Sequence, residues 1–232
     1  LEPHIEQGPV LEQRHVPIGV VTDIRGSLRF RHALCQGTYA HSGTTPRESR
    51  HDAVLAVSEL AVELNKLWCQ FEKQAKDLTV TVGQIATDPV EDSFSKVAGL
   101  VRFSIDIRSN SEATLEEFAI ALEKLKGYIE RERKVSFDFG PRTSTNPARM
   151  HPDIIKGLIQ ASNLERQTVI EMPCGAGHDA ATFADLGIPT GMLFIRNSNG
   201  SHNPEEHMDM ADFRAGASVL MRFCLNPPDL LK

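Results

Sequence analysis

His4, Glu6 and Gln7 stand immediately ahead of Gly8-Pro9, where a strand is expected to end. Residues two apart on a strand share a face. His4 and Glu6 are therefore expected to point the same way, and imidazole with carboxylate at a strand end is a donor set for a metal or a polar substrate. Two more polar clusters fill loops between expected elements: Cys174-Gly-Ala-Gly-His178-Asp179 and Ser201-His202-Asn-Pro-Glu205-Glu206-His207. Zinc takes imidazole and carboxylate ligands, and a catalytic zinc keeps one position open for water. His4 and His202 suit ligation from two loops on one sheet edge, although two imidazoles are not a full ligand set. The turn at 175–178 either lets backbone N–H groups receive an anion at a helix start or simply joins strand to helix with Asp179 as the N-cap. A Ser201/His178/Asp179 triad lacks the G-x-S-x-G elbow. Cys174 as a nucleophile lacks a His–Asn signature. Farther along, His41 lies in an exposed loop and Arg108 ends a strand after Asp106. A guanidinium there is either a bidentate carboxylate clamp or an ordinary surface cation.

The elements that must position these groups follow from periodicity. Strands are expected at 20–24 and 27–36, with Arg25-Gly26 as a hinge. Val54, Val57, Leu60, Ala61, Leu64, Leu67 and Trp68 recur at helical spacing, which predicts a helix over 52–73. Strands at 78–85 and 100–107, a helix over 111–131 capped near Ser111, and a strand at 135–139 come next. From 27 to 139 the order is β-α-β-β-α-β, the split βαβ or ferredoxin-like arrangement of a four-stranded antiparallel sheet with two helices on one face. After 140–147 the style changes. Helices over 153–163, 179–186 and 210–224 alternate with strands at 168–171 and 191–195, which predicts an open α/β sheet with chemistry in the loops at its strand ends. Residues 1–24 are expected to add a strand or two to that sheet. The expectation is an α+β domain at 26–140 inserted into an α/β domain made of 1–25 and 141–232.

The chain has 232 residues, 41% hydrophobic and 24% charged, an ordinary globular composition. A formal charge of −6 argues against nucleic acid as a partner, since that needs a basic face. No apolar stretch is long enough to span a bilayer, so no membrane partner is expected. Cys35, Cys69, Cys174 and Cys224 show no CxxC spacing, and read as free thiols of a reducing, cytoplasmic compartment, mostly packed as small apolar residues.

In order, the chain carries HIEQGPVLE from His4, GVV from Gly19, AHSGTTP from Ala40, DIR from Asp106, GAGHDA from Gly175 and SHNPEEH from Ser201. This series resembles the M20-type metal-dependent amidohydrolases of the hydantoinase/carbamoylase group: N-carbamoyl-L-amino-acid hydrolases, allantoate amidohydrolases and β-ureidopropionases. The resemblance implies a zinc-peptidase-like mixed-sheet catalytic domain with an inserted lid or dimerisation domain, and a homodimer formed through 26–140. It implies metal-assisted hydrolysis of a carbamoyl or ureido C–N bond, with two divalent ions (Zn, Mn, Co or Ni) per site. His4 and His202 are then metal ligands. Gln7, His178 and Arg108 are substrate-binding residues, with Arg108 holding the substrate carboxylate. His41 is the catalytic imidazole that stabilises the tetrahedral intermediate. Ser95 falls where the family carries an Asn donor. The family's His-x-Asp, bridging Asp and Glu-Glu pair precede HIEQGP, so the ligand set is expected to be incomplete here and these 232 residues to be inactive alone. A non-catalytic dimerisation or carboxylate-binding module, or one half of a split enzyme, are the alternatives.

Overall fold

Two long helices start where side chains cap them. Asp52 Oδ1 accepts the N–H groups of Val54 and Leu55, and Ser111 Oγ accepts that of Thr114. In the computed structural model, which describes residues 1–228, the first elements are β1 (Glu2–Ile5), α1 (Val10–Arg14), β2 (Ile18–Ile24), β3 (Gly26–Gln36), β4 (Ala40–His41), α2 (Ala53–Lys73), β5 (Thr79–Thr87), β6 (Lys96–Val97) and β7 (Leu100–Ser109). They are followed by α3 (Glu112–Arg133), β8 (Ser136–Asp138), β9 (Arg142–Thr145), β10 (Ala148–Arg149), α4 (Pro152–Leu164), β11 (Val169–Cys174), α5 (Asp179–Asp185), β12 (Met192–Ile195) and α6 (Met210–Leu225). The chain divides into two compact units, one of Leu1–Arg25 with the chain from Pro147 onward, the other Gly26–Asn146.

The Gly26–Asn146 unit is a β-α-β-β-α-β sequence whose strands pair antiparallel in the order β5-β7-β3-β8. Alternation on β7 puts Val101, Phe103, Ile105 and Ile107 on one buried face. Leu60, Leu64 and Phe71 of α2 and Leu115, Phe118 and Leu122 of α3 share the core with that face. Phe71 and Phe118 meet edge to face with ring centroids 5.4 Å apart. The unit ends at Asn146 rather than at 140, because Arg142–Thr145 forms β9 and pairs antiparallel with Ser27–Phe30 of β3. All four residues of β9 are exposed, so no apolar alternation announced that strand.

In the other unit β1 runs parallel to β12, β12 antiparallel to β2, β11 parallel to β2, and β10 antiparallel to the end of β2. Ile18, Val20, Val21 and Ile24 of β2 are all buried, as expected of a strand covered on both faces. Ile18 and Val20 pack with Ile154, Leu158, Val219 and Phe223 from α4 and α6. Val21 and Ile24 pack with Leu11 and Ala180 from α1 and α5. The layers are therefore helix, sheet, helix. Among the described residues no helix is long and apolar enough to cross a membrane.

Only half of the cysteines are packed as small apolar residues. Cys35 and Cys174 are buried, whereas Cys69 and Cys224 are exposed on α2 and α6. Burial pushes the Cys35 thiol up to about 12 and the Cys174 thiol up to about 11. A thiol held that high is not a nucleophile at neutral pH, which removes Cys174 from the catalytic candidates. Alkylation of the native protein at pH 8, read by peptide mass spectrometry, is expected to label Cys69 and Cys224 and to reach Cys35 and Cys174 only on unfolding. Rapid native labelling of Cys174 would contradict this assignment.

Candidate active site

The strand β1 stops at Ile5, and Glu6 does not share a working face with His4 as the sequence suggested. Its carboxylate is buried and accepts the N–H groups of Val10 at 2.8 Å and Leu11 at 2.7 Å, capping α1. Glu6 is thus committed to structure. The glycine that follows has a reason to be one: a Cβ on Gly8 would lie 2.8 Å from Glu6 Oε1. Because that oxygen is held by the Val10 N–H and the other by the Leu11 N–H, Gly8→Ala is expected to displace the cap at a cost of about 1–2 kcal/mol. Urea denaturation measures it, and an unchanged midpoint would show that the cap adapts.

Gln7 takes a left-handed backbone, φ 64°. That conformation is strained for a residue with a side chain. Its N–H donates to Asn197 Oδ1 at 2.9 Å, and its side-chain amide Nε2 lies 3.3 Å from Ser201 Oγ and 3.4 Å from His202 Nε2. The loop that carries His202 is also left-handed at Asn199 (φ 64°), Gly200 (φ 70°) and His202 itself (φ 60°). Buried Asn197 holds this loop by donating from Nδ2 to Gly200 O at 2.7 Å. Glu206 closes it, accepting the Ser201 hydroxyl and the His202 N–H, and these donors keep its carboxyl below the ordinary carboxylate value. A pair of backbone hydrogen bonds between Ser198 and His207 seals the loop's base.

His4 and His178 meet edge to face with ring centroids 4.5 Å apart. His4 Nδ1 lies 2.7 Å from Ile5 O. A carbonyl oxygen only accepts, so Nδ1 carries the proton and Nε2 keeps its lone pair. That is how a ligating imidazole is commonly oriented, its other ring N–H given to a carbonyl or carboxylate. His178 Nδ1 lies 3.3 Å from Glu2 Oε1. Burial and the neighbouring His4 hold the His178 imidazole below its ordinary value, against the pull of Glu2.

In the Gly26–Asn146 unit, His41 sits on β4 and pairs across to Lys96 of β6, a two-strand element where the sequence suggested only loop. Ser42 N donates to Ser95 O at 2.9 Å, so His41 and Ser95 are neighbours. His41 Nδ1 accepts from Gly43 N at 3.1 Å and Thr44 N at 3.3 Å. Its Nε2 therefore carries the proton and is a donor, the reverse of His4. Arg108 on β7 lies along its own strand and donates from Nε and Nη2 to Asp106 Oδ2 at 3.1 and 2.7 Å. Arg29 reaches the other oxygen of Asp106 at 3.2 Å. Burial would raise the Asp106 carboxyl, but the two guanidiniums outweigh it and hold it below its ordinary value. Any incoming carboxylate at Arg108 must share the guanidinium with Asp106.

The motif order across both units is matched by a family model described as Peptidase family M20/M25/M40 over residues 1–226. The chain belongs to this family. It is 34% identical over 224 residues to a protein named N-carbamoyl-L-amino-acid amidohydrolase from Paenarthrobacter aurescens, covering 96% of this chain and 52% of that one. It is 34% identical over 221 residues to a protein named allantoate amidohydrolase from Escherichia coli K12, covering 95% and 52%. A crystal structure titled as an amidase of the hydantoinase/carbamoylase family from Burkholderia multivorans superposes with a TM-score of 0.87 at 30% identity, covering 95% of this chain and 52% of that one. The chain spans about half the length of the curated relatives it matches.

The M20 fold implies divalent metal ions. Among the described residues no group of three or more His, Cys, Asp or Glu is arranged to hold one. Three residues that sequence reasoning left without a role help build the site: Glu2, Asn197 and Glu206. Glu2 was legible, since it sits two positions before His4 on the same strand. Asn197 was hidden in the turn-forming run Asn197-Ser-Asn-Gly200, where composition says only loop.

Proposed function

We propose that the chain forms part of a metal-dependent amidohydrolase that cleaves the carbamoyl or ureido C–N bond of a small N-carbamoyl amino acid, allantoate or ureidopropionate. The observation that carries the reading is the opposite protonation of two imidazoles. His4 keeps a free Nε2 lone pair, suited to a cation, and His41 keeps an Nε2–H, suited to a developing oxyanion. His4 and His202 are ligands of the divalent centre (Zn, Mn, Co or Ni), whose remaining donors lie outside these 232 residues. Gln7, His178, Arg108 and Ser95 bind the substrate, Arg108 by its carboxylate. His41 is the catalytic donor. Gly26–Asn146 pairs two copies into a homodimer. Exposed Leu55 and Val62 on α2 and Ile85 on the edge strand β5 support that surface. Nucleic acid and membranes are not partners, and the compartment is the cytoplasm.

The test is ammonia release from a panel of N-carbamoyl amino acids, allantoate and ureidopropionate, with the four metals varied in turn. A preparation containing the whole gene product is expected to turn over at least one of them, and the 232-residue chain none. Robust hydrolysis by the 232 residues alone would refute the incomplete ligand set. Silence of the whole gene product across the panel would refute the activity.

A further inference from the structure

His178 is oriented from a distance. Its side chain is 5% exposed, and its Nδ1 lies 3.3 Å from Glu2 Oε1. The other oxygen of Glu2 accepts the N–H of Ala180 at 2.7 Å, in the first turn of α5, the helix that begins directly after His178. Glu2 therefore grips both the imidazole and the backbone beside it. A carboxylate can only accept here, so the proton of the neutral imidazole sits on Nδ1. Nε2 is left with its lone pair, buried, and without a hydrogen-bond partner among the described residues. Buried polar atoms are nearly always partnered, and one that is not asks for an occupant.

We propose that Glu2 is a positioning residue that holds His178 in the Nδ1–H tautomer, making Nε2 an acceptor for an N–H group of the bound molecule. The inference rests on the reading above, in which His178 belongs to the substrate site. An acceptor at that place suits the nitrogen end of a carbamoyl or ureido group and disfavours carbonyl and carboxylate oxygens. It thereby sets which end of the substrate faces β1. Histidine free in water prefers the Nε2–H tautomer, so the arrangement is imposed by Glu2 rather than intrinsic to the ring.

The experiment is heteronuclear NMR of the chain labelled with ¹⁵N-histidine, at pH 8, above the ordinary imidazole pKa of about 6.5. In the native protein His178 is expected to show a pyrrole-type Nδ1 and a pyridine-type Nε2. In Glu2→Ala it is expected to revert to Nε2–H, while Glu2→Gln, whose amide oxygen still accepts, keeps the native pattern. His4 serves as an internal reference, since its Nδ1–H is held by Ile5 O and does not change. An Nε2–H signature for His178 in the native chain overturns the proposal, as does a tautomer unaltered by Glu2→Ala. The native spectrum decides the matter even where Glu2→Ala fails to fold. With a preparation that turns over substrate, Glu2→Ala is expected to raise KM by about tenfold or more, with recovery in Glu2→Gln. Absence of turnover in every preparation would sink the functional reading while leaving the tautomer result to judge Glu2 on its own.

Discussion

Replacing His202 with asparagine is expected to lower turnover by the whole gene product more than about 100-fold, beyond the range usual for residues that only orient a ligand. Asparagine is the informative substitution because His202 is left-handed, φ 60°. Asparagine tolerates that conformation, and alanine does not without strain. The loop should therefore keep its shape. The Glu206 carboxylate still receives the backbone N–H of position 202, and Asn197 still anchors Gly200. What disappears is the imidazole whose Nε2 sits 3.4 Å from Gln7 Nε2. A companion change, Glu206→Ala, leaves the imidazole present and loosens the loop, so a smaller loss of about 10- to 100-fold is expected. Metal content after dialysis and kcat for the best substrate of the panel are the measurements. Wild-type turnover in His202→Asn, with the loop intact by NMR, would remove His202 from the reaction altogether.

Phe118→Ala is expected to destabilise the Gly26–Asn146 unit by about 3–5 kcal/mol. Phe118 is fully buried on α3 and meets the ring of Phe71 on α2, so the change removes transfer free energy, leaves a cavity and breaks an aromatic pair. The cavity cannot collapse easily. Leu60, Leu64, Ile105 and Leu122 of the same core are themselves almost fully buried and packed from strands and helices on several sides. Ile120, two residues away and 57% exposed, provides the control, with Ile120→Ala changing stability by no more than about 0.5 kcal/mol. Hydrogen exchange on β3 and β7 reports this unit separately from the other. A Phe118→Ala cost below about 1 kcal/mol would mean that the two helices repack, and the account of that core would be wrong.

The fold was legible wherever burial is periodic. The helices α2, α3, α4 and α6 and the strands β3, β7 and β12 have one buried face each or two, and their apolar spacing shows it, while β5 turns half-buried Val80 and Val82 to the core. The segments that escaped had no such face. Five-residue α1 is too short for a period and is held by Glu6. The strand β9 is polar throughout and exists because β3 offers it a backbone edge. For the site, the residue types in HIEQG, GAGHDA and SHNPEEH pointed to His4, Gln7, His178 and His202 as candidates. They were not enough to separate Glu6, a helix cap, from a ligand, since both are carboxylates beside a histidine.

The sequence by itself determined the order of the long helices and strands, and it named the histidines that are candidates for chemistry. Those properties depend on neighbours three or four positions away, or two on a strand. Tertiary structure alone decided which ring nitrogen of each histidine carries its proton, and which backbone conformation aims Gln7 and His202. Gln7 N meets Asn197 across 190 positions of sequence and His178 meets Glu2 from the far end of the chain. No local pattern encodes such pairs. They exist only once β1 has laid itself beside β12, and with them comes the difference between an imidazole that donates and one that accepts.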